Sequence, residues 1–153
     1  MKLVVENCPE KEGVLRQAFN ITCNQLGIAP YNWTVTLRFD PQSVMCDENT
    51  GGQTKSIGVN NQCFIQISTR LLNPLAFSRL IEVFCHELVH VKQIIRDGLE
   101  GSPEGVRFKG KIHSVEELMF ANVLFPFPTE PWEIEAYSRD KGLAATVLKF
   151  LSR

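Results

Sequence analysis

The alternation of apolar and polar positions divides the chain into predicted helices and strands. Strict alternation from Asn32 to Asp40 predicts a half-buried strand, and the segment from Ser56 to Ser68 predicts one or two more. Apolar residues at helical spacing predict one helix from Pro9 to Leu26 and a long central helix from Ala76 to Asp97. A last helix is expected to begin at Pro131 and to run through Leu151. Helices and strands therefore both contribute to the fold.

Glycine, proline and polar residues mark the connecting segments. Residues 47–52 are predicted to form a loop, and the glycine-rich segment from Leu99 to Ile112 a loop with a short β-ribbon. Ser114 followed by Glu117 is a capping box that predicts a brief helix through Ala121, before the Phe-Pro-Phe-Pro run at 125–128. We expect one α+β domain over residues 1–153, with a twisted, mainly antiparallel sheet of three or four strands and an N-terminal, a central and a C-terminal helix.

Composition narrows the class of protein without naming a partner. The chain has 153 residues, 44% of them hydrophobic, and a net charge of -1, which predicts one globular core. No basic patch favours nucleic acid or anionic lipid, so we expect neither as a partner, and we expect a monomer. The apolar run after Met1 is too short for a signal peptide, and no long apolar stretch predicts a membrane span, which favours the cytoplasm. Five widely spaced cysteines without a Cys-x-x-Cys pair are expected to stay reduced.

The central helix carries a pattern with chemical meaning, His86-Glu87-Leu88-Val89-His90. At about 100° per residue the two histidines lie only about 40° apart around the helix axis, so both imidazoles can bind one metal ion. Glu87 lies on the same side, where its carboxylate can act as general base for a water activated by zinc. This pattern predicts zinc-dependent hydrolysis of a peptide bond. A surface pair of histidines without a metal is the alternative, because short patterns recur by chance.

A catalytic zinc ion usually has three protein ligands, and Glu133 is the candidate for the third. Glu133 and Tyr137 lie one turn apart on the last predicted helix, whereas Glu135 points about 200° away from Glu133. Only one of the two glutamates can face the metal, and Glu133 is the preferred candidate. The alternative for Glu133 is a solvated first-turn residue that stabilises the helix dipole.

With these motifs the chain resembles the zincin metallopeptidases of the gluzincin type, in which a glutamate from a later helix joins the two histidines. Among them, the small minigluzincins and phage-encoded peptidase-like proteins look most similar, on the runs at 86–93 and 131–137. The resemblance implies a zincin-like fold, one zinc ion per chain and an extended peptide or protein substrate. Such proteins commonly carry an acidic or amide residue four positions after the ligand glutamate, where this chain has Tyr137. The assignment of Glu133 over Glu135 therefore stays open at this point.

The resemblance raises three further expectations. Spartan-like zincins use a third histidine as ligand, which makes His113 an alternative, although its ordinary interpretation is an exposed residue before the Ser114 cap. The strand before the central helix, about Gln62 to Ser68, is expected to form the rim of the cleft and to pair with the substrate backbone. Tyr137 or His113 could stabilise the oxyanion, a role that we assign to neither.

Two rival functions are a zinc-containing module that binds a peptide without cleaving it and a metal-free interaction domain.

Overall fold

The computed structural model of the protein describes residues 1–45, 51–56, 60–125 and 128–153. This part of the chain contains seven strands and four α-helices, in an α+β arrangement. The strands are β1 Lys2–Val5, β2 Thr34–Asp40, β3 Gly52–Ser56, β4 Gln62–Ser68, β5 Glu100–Ser102, β6 Gly105–Phe108 and β7 Lys111–Ser114. The helices are α1 Glu12–Gln25, α2 Phe77–Arg96, α3 Val115–Leu124 and α4 Pro131–Leu151.

The main sheet has four strands in the order β1-β2-β4-β3. Strands β1 and β2 pair in parallel, as do β2 and β4, and only β3 and β4 are antiparallel. The expectation of a mainly antiparallel sheet is therefore wrong. One cause is β1, which the sequence pattern showed only as a short apolar run: β1, α1 and β2 form a strand-helix-strand unit, and such a crossover joins parallel strands. The second parallel pair arises because β3, which runs in the opposite direction, lies between β2 and β4 in the chain.

The inner face of this sheet forms one side of the core. Every second residue of β2 is buried, as its alternating pattern predicted, and Cys63, Ile65 and Ile67 of β4 face the same core. Helices α1 and α2 pack against the sheet, and α4 packs against both helices. Fully buried side chains that meet here include Phe19, Leu37, Phe39, Ile65, Ile67, Phe84 and Leu88. The core thus fixes α2 between the sheet and α4, which determines where its polar residues point.

The polar strand β3 forms one edge of the main sheet and lies against α2. It begins at Gly52, where a Cβ atom would lie 2.9 Å from Val83 Cγ1 and 3.0 Å from Glu87 Oε1. Glycine is required there because the strand backbone approaches the helix side chains directly. Of the predicted loop at 47–52, positions 47–50 lie outside the described residues, as do 57–59 of the predicted strand segment and 126–127 of the proline-rich interruption.

Residues 100–124 form a small unit between α2 and α4. Strands β5, β6 and β7 make an antiparallel sheet, which confirms and extends the predicted ribbon. The Ser114 side chain accepts a hydrogen bond from the Glu117 N–H at the start of α3, as the capping box predicted. Helix α3 continues three residues beyond the predicted end at Ala121, and none of its side chains is buried; Met119, Phe120 and Val123 are 65%, 68% and 85% exposed.

Two further sequence expectations concern bulk properties. None of the helices in the described ranges combines the length and apolarity that crossing a membrane requires. Four cysteines, Cys8, Cys23, Cys63 and Cys85, are buried and free of disulfide bonds, while Cys46 lies outside the described residues. Burial raises the pKa of Cys23 and of Cys63 to about 12, so both are protonated packing residues at neutral pH.

Candidate metal centre

Two imidazoles and one carboxylate converge between α2 and α4. Glu133 Oε2 lies 3.1 Å from His86 Nε2, and Glu133 Oε1 lies 3.1 Å from His90 Nε2. The nitrogen and oxygen atoms that these three residues offer as ligands all lie within 4.8 Å of one another. The histidine pair comes from successive turns of α2, and Glu133 comes from the first turn of α4.

This spacing fits a bound divalent cation. Nitrogen and oxygen ligands at about 2.0–2.1 Å from a tetrahedral ion are separated from each other by about 3.3 Å. The observed 3.1 Å between each histidine nitrogen and a Glu133 oxygen is close to that separation. Two imidazoles and one carboxylate supply three donors, which leaves a fourth position for a solvent molecule or a substrate. The donor set therefore suits a catalytic rather than a closed structural site.

A second layer of side chains sets the orientation of both imidazoles. His86 Nδ1 lies 3.1 Å from Asp140 Oδ2, and His90 Nδ1 lies 2.8 Å from Gln93 Oε1. In each ring the Nδ1–H then donates to an oxygen, so that Nε2, once it has lost its proton, directs its lone pair at the cation position. Gln93 in turn donates from Nε2 to the Trp132 carbonyl oxygen at 2.8 Å, so it links α2 to the start of α4.

Glu87 is buried beside the cluster without joining it. The Thr54 hydroxyl of β3 donates to Glu87 Oε2 at 2.6 Å and holds the carboxylate in place. Burial raises the pKa of Glu87 above its ordinary value, against the opposing effects of the His90 charge and of the Thr54 hydrogen bond. A carboxylate with a raised pKa, fixed next to a cation position, is suited to accept and release a proton.

Contacts within the cluster shift the pKa values of Glu133 and His90 away from their ordinary values. Burial alone would raise the pKa of Glu133, but the hydrogen bonds from His86 and His90 lower it to about 2. Burial alone would lower the pKa of His90, but the hydrogen bond with Glu133 and the nearby carboxylate charges raise it to about 9. A cation that binds here has to displace protons from the histidines, so protons and metal compete for the same atoms.

The alternative ligands lie elsewhere in the described structure. Glu135 accepts from Lys92 Nζ at 2.6 Å and from Gln93 Nε2 at 3.1 Å, and it does not belong to the converging group. His113 is buried rather than exposed, which corrects its ordinary interpretation: its ring packs edge-on against Trp132, with centroids 5.6 Å apart, because β7 directs it toward α4. It is not part of the converging group either.

A cleft of about 700 Å³ opens beside the cluster. It is lined by Gly52, Gln53, Thr54, Glu87, His90, Ile94, Leu99, Asn122, Phe125, Pro128, Glu130, Trp132, Glu133 and Tyr137. The Tyr137 ring lies over His86 with centroids 4.5 Å apart and is about half exposed. A second cavity of similar volume shares Thr54, Ile94 and Leu99 with the cleft, so the opening continues along β3.

The strand that borders this cleft is β3 and not the predicted Gln62–Ser68. Strand β4 pairs with β2 on one side and with β3 on the other, so its backbone groups are already engaged. The edge strand β3 contributes Gly52, Gln53 and Thr54 to the cleft. The prediction failed because β3 is polar and lacks the apolar alternation by which a strand is recognised.

Three residues of the site had no predicted role: Thr54, Gln93 and Asp140. Asp140 follows Glu133 by seven residues, which is about two helical turns and places both on one face of α4. That spacing is a signal that the sequence contains. Gln93 follows His90 by three residues on α2, which is also a spacing that the sequence contains, whereas Thr54 lies on a strand that the sequence did not reveal.

Comparisons of the chain with family models, with curated proteins and with solved structures give no match. The function is therefore inferred from the geometry of the site.

Proposed function

We propose that this protein is a zinc-dependent metallopeptidase in which His86, His90 and Glu133 hold the ion and Glu87 is the general base. The observation that carries the proposal is the convergence of the three ligand side chains beside a buried, hydroxyl-anchored Glu87 in an open cleft. When bound, zinc supplies a Lewis acid that lowers the pKa of a coordinated water and polarises the substrate carbonyl.

The side chains of this chain then divide the remaining work. Glu87 takes the proton from the attacking water and delivers it to the leaving nitrogen, while Thr54 keeps its carboxylate directed into the cleft. Asp140 and Gln93 keep the two imidazoles in the tautomer that binds metal. Among the described strands β3 pairs with β4 alone, so its side toward the cleft can offer backbone N–H and C=O groups to an extended peptide, which favours a peptide or protein as the substrate.

The decisive experiment compares the parent with Glu87→Gln. We expect both to contain one zinc per chain by elemental analysis, and the variant to lose about 100-fold or more of its turnover of a fluorogenic peptide mixture. Glu12→Gln, which alters a surface ion pair on α1, is the matched control and should behave as the parent does. Equal turnover in parent and Glu87→Gln contradicts the assigned base.

A companion variant tests the metal itself. His86→Ala removes one of the two imidazoles and should lose zinc as well as turnover. A zinc-loaded parent that binds peptides without cleaving them indicates instead a binding module, and a parent that takes up no zinc removes the whole proposal.

A further inference from the structure

A small cavity extends the cleft toward the start of α2. It has a volume of about 60 Å³, and it shares Gly52, Glu87 and Tyr137 with the main cleft. Arg79 and Val83 border it from α2, and His86 connects it to the metal cluster. The groove therefore runs along β3, from Arg79 at one end, past the cluster, to the second cavity at the other end.

Arg79 introduces a positive charge into an otherwise acidic environment. Among the described residues that line the cleft and the small cavity, it is the one arginine or lysine, beside the acidic side chains of Glu87, Glu130, Glu133 and Asp140. Arg79 forms an ion pair with Glu82 on its own helix, and its side chain is 56% exposed. An exposed pair of this kind contributes little to stability and leaves the guanidinium open to a competing anion.

Helix stability does not explain this arginine. Arg79 is the third residue of α2, and the first turn of a helix disfavours a cation because the helix dipole is positive there. A guanidinium also presents parallel N–H donors that match a carboxylate better than an ammonium does. Arg79 at this position therefore slightly destabilises the helix, but it is well placed to bind an anionic ligand in the groove.

The distance between Arg79 and His86 along the helix indicates how far such an anion lies from the cleaved bond of a substrate. Arg79 precedes His86 by seven residues on the same helix face, about 10 Å along the axis. An extended peptide rises by about 3.3 Å per residue, so this offset corresponds to about three residues or fewer once the reach of the arginine side chain is included. Strand β3 runs from Gly52 near Arg79 to Ser56. Antiparallel pairing is the more stable arrangement of two strands, and a peptide paired antiparallel to β3 has its C-terminal side toward Arg79.

We infer that Arg79 binds a carboxylate of the substrate, located within about three residues on the C-terminal side of the cleaved bond. This inference rests on the proposed peptidase function and specifies its substrate class. The carboxylate is either the free C-terminus of the peptide, which makes the enzyme a C-terminal trimming peptidase, or an aspartate or glutamate side chain. Both sources have the same chemistry and are separated by the substrates of the test.

The test uses matched peptides with one cleavable bond and one to three residues after it. The first set ends in a free carboxylate and the second, neutral set in an amide. The third set also ends in an amide but has Glu where the neutral set has Gln, among the residues after the cleavable bond. We expect the zinc-loaded parent to have a kcat/KM about 10-fold to 100-fold higher for the better carboxylate set than for the neutral amides. In Arg79→Gln that ratio should fall to about one, and Arg79→Lys should retain part of it.

Controls separate this inference from the function on which it rests. Arg16→Gln removes an arginine from a comparable surface ion pair on α1 and should keep the parental ratio. In a Glu87→Gln background, which is expected to block cleavage, isothermal titration should show tighter binding of peptide acids than of amides, and Arg79→Gln should abolish the difference. If the parent cleaves or binds acids and amides equally, or if Arg79→Gln keeps the preference, the inference is overturned while the peptidase proposal stands. If the zinc-loaded parent binds acids through Arg79 but cleaves no peptide, the peptidase proposal is overturned while the carboxylate-binding role of Arg79 stands.

Discussion

At the scale of single residues, Asp140 is a partner of the ligand His86 that the motifs do not reveal. Asp140 is 2% exposed, and its Oδ2 atom lies 3.1 Å from His86 Nδ1. An anionic partner on Nδ1 increases the basicity of the ring and fixes the Nε2 lone pair toward the metal. Asp140 therefore acts on the ion through His86.

Asp140→Asn should weaken zinc binding by about 10-fold to 100-fold, because the neutral amide is a poorer acceptor for the Nδ1–H. A competition titration against a chelator of known affinity measures this change. Asp40→Asn, at the end of β2 and away from the cluster, is the control and should leave the zinc affinity unaltered. The same affinity in Asp140→Asn and the parent would show that His86 needs no such partner.

The residues that sequence alone could identify are those with local spacing. His86, Glu87 and His90 share one helical segment, and the angle around a single helix axis showed that Glu133 and Glu135 cannot both face the metal. The structure brings His86, His90 and Glu133 together. Thr54 could not be found in this way, because its contact with Glu87 joins positions 33 residues apart and depends on sheet topology.

At the scale of elements, the docking of α4 on α2 positions the ligand glutamate. Lys92, with a side chain only 12% exposed, donates to both Asp97 and Glu135. Gln93 adds hydrogen bonds to Trp132 and Glu135. These contacts fix the first turn of α4, so Glu133 faces the histidines.

Glu135 makes this docking dependent on pH. Burial alone would raise the pKa of Glu135, but hydrogen bonds from Lys92 and Gln93 and the charge of Lys92 lower it. A carboxyl whose pKa is lowered by folding stabilises the protein fully above its unfolded value of about 4.3 and loses this contribution as the pH falls through the folded value.

Glu135→Gln should therefore reduce the free energy of unfolding at pH 7 by about 1 kcal/mol, a value kept small because the ion pair is partly solvated. Urea unfolding of the metal-free parent and variant at pH 7 and at pH 3 measures the difference, which should shrink at the acid end. A difference that stays constant over this range would mean that the Glu135 charge does not contribute.

Periodicity identified the elements with long, regular patterns. The alternation in β2 and the helical spacing in α2 predicted elements whose ends differ by about two residues or fewer from the structure, and Pro131 as a first-turn residue did the same for α4. Strand β1 is too short for its alternation to stand out, and β3 carries no apolar face. Local periodicity does not determine whether strands pair in parallel or antiparallel, because this depends on the connections between them. The sheet was therefore wrongly predicted to be mainly antiparallel.

At the scale of the whole molecule, the candidate centre joins two helices that are far apart in sequence. An ion held by His86 and His90 of α2 and by Glu133 of α4 binds only the folded chain, because the unfolded chain does not hold the three donors together. A ligand that binds only the folded state stabilises it by about 2.7 kcal/mol at a free concentration 100 times its dissociation constant.

Zinc at that concentration should raise the melting temperature by about 5–10 °C for a chain of this size. Thermal unfolding monitored by circular dichroism, with zinc and with a chelator, measures the shift. His90→Ala, which lacks one ligand, should show no shift. An identical zinc effect in parent and His90→Ala would place the stabilising ion elsewhere.

The chain order of the centre has a consequence for engineering. The histidines precede the β5-β6 turn and both carboxylates follow it, and Pro103 and Glu104 in this turn are exposed. A cut there would leave one fragment with the imidazoles and another with Glu133 and Asp140, so that neither fragment alone has a complete set of donors. Reassembly of the two pieces would then respond to zinc, and the protein would serve as a split reporter whose two parts join in the presence of the metal.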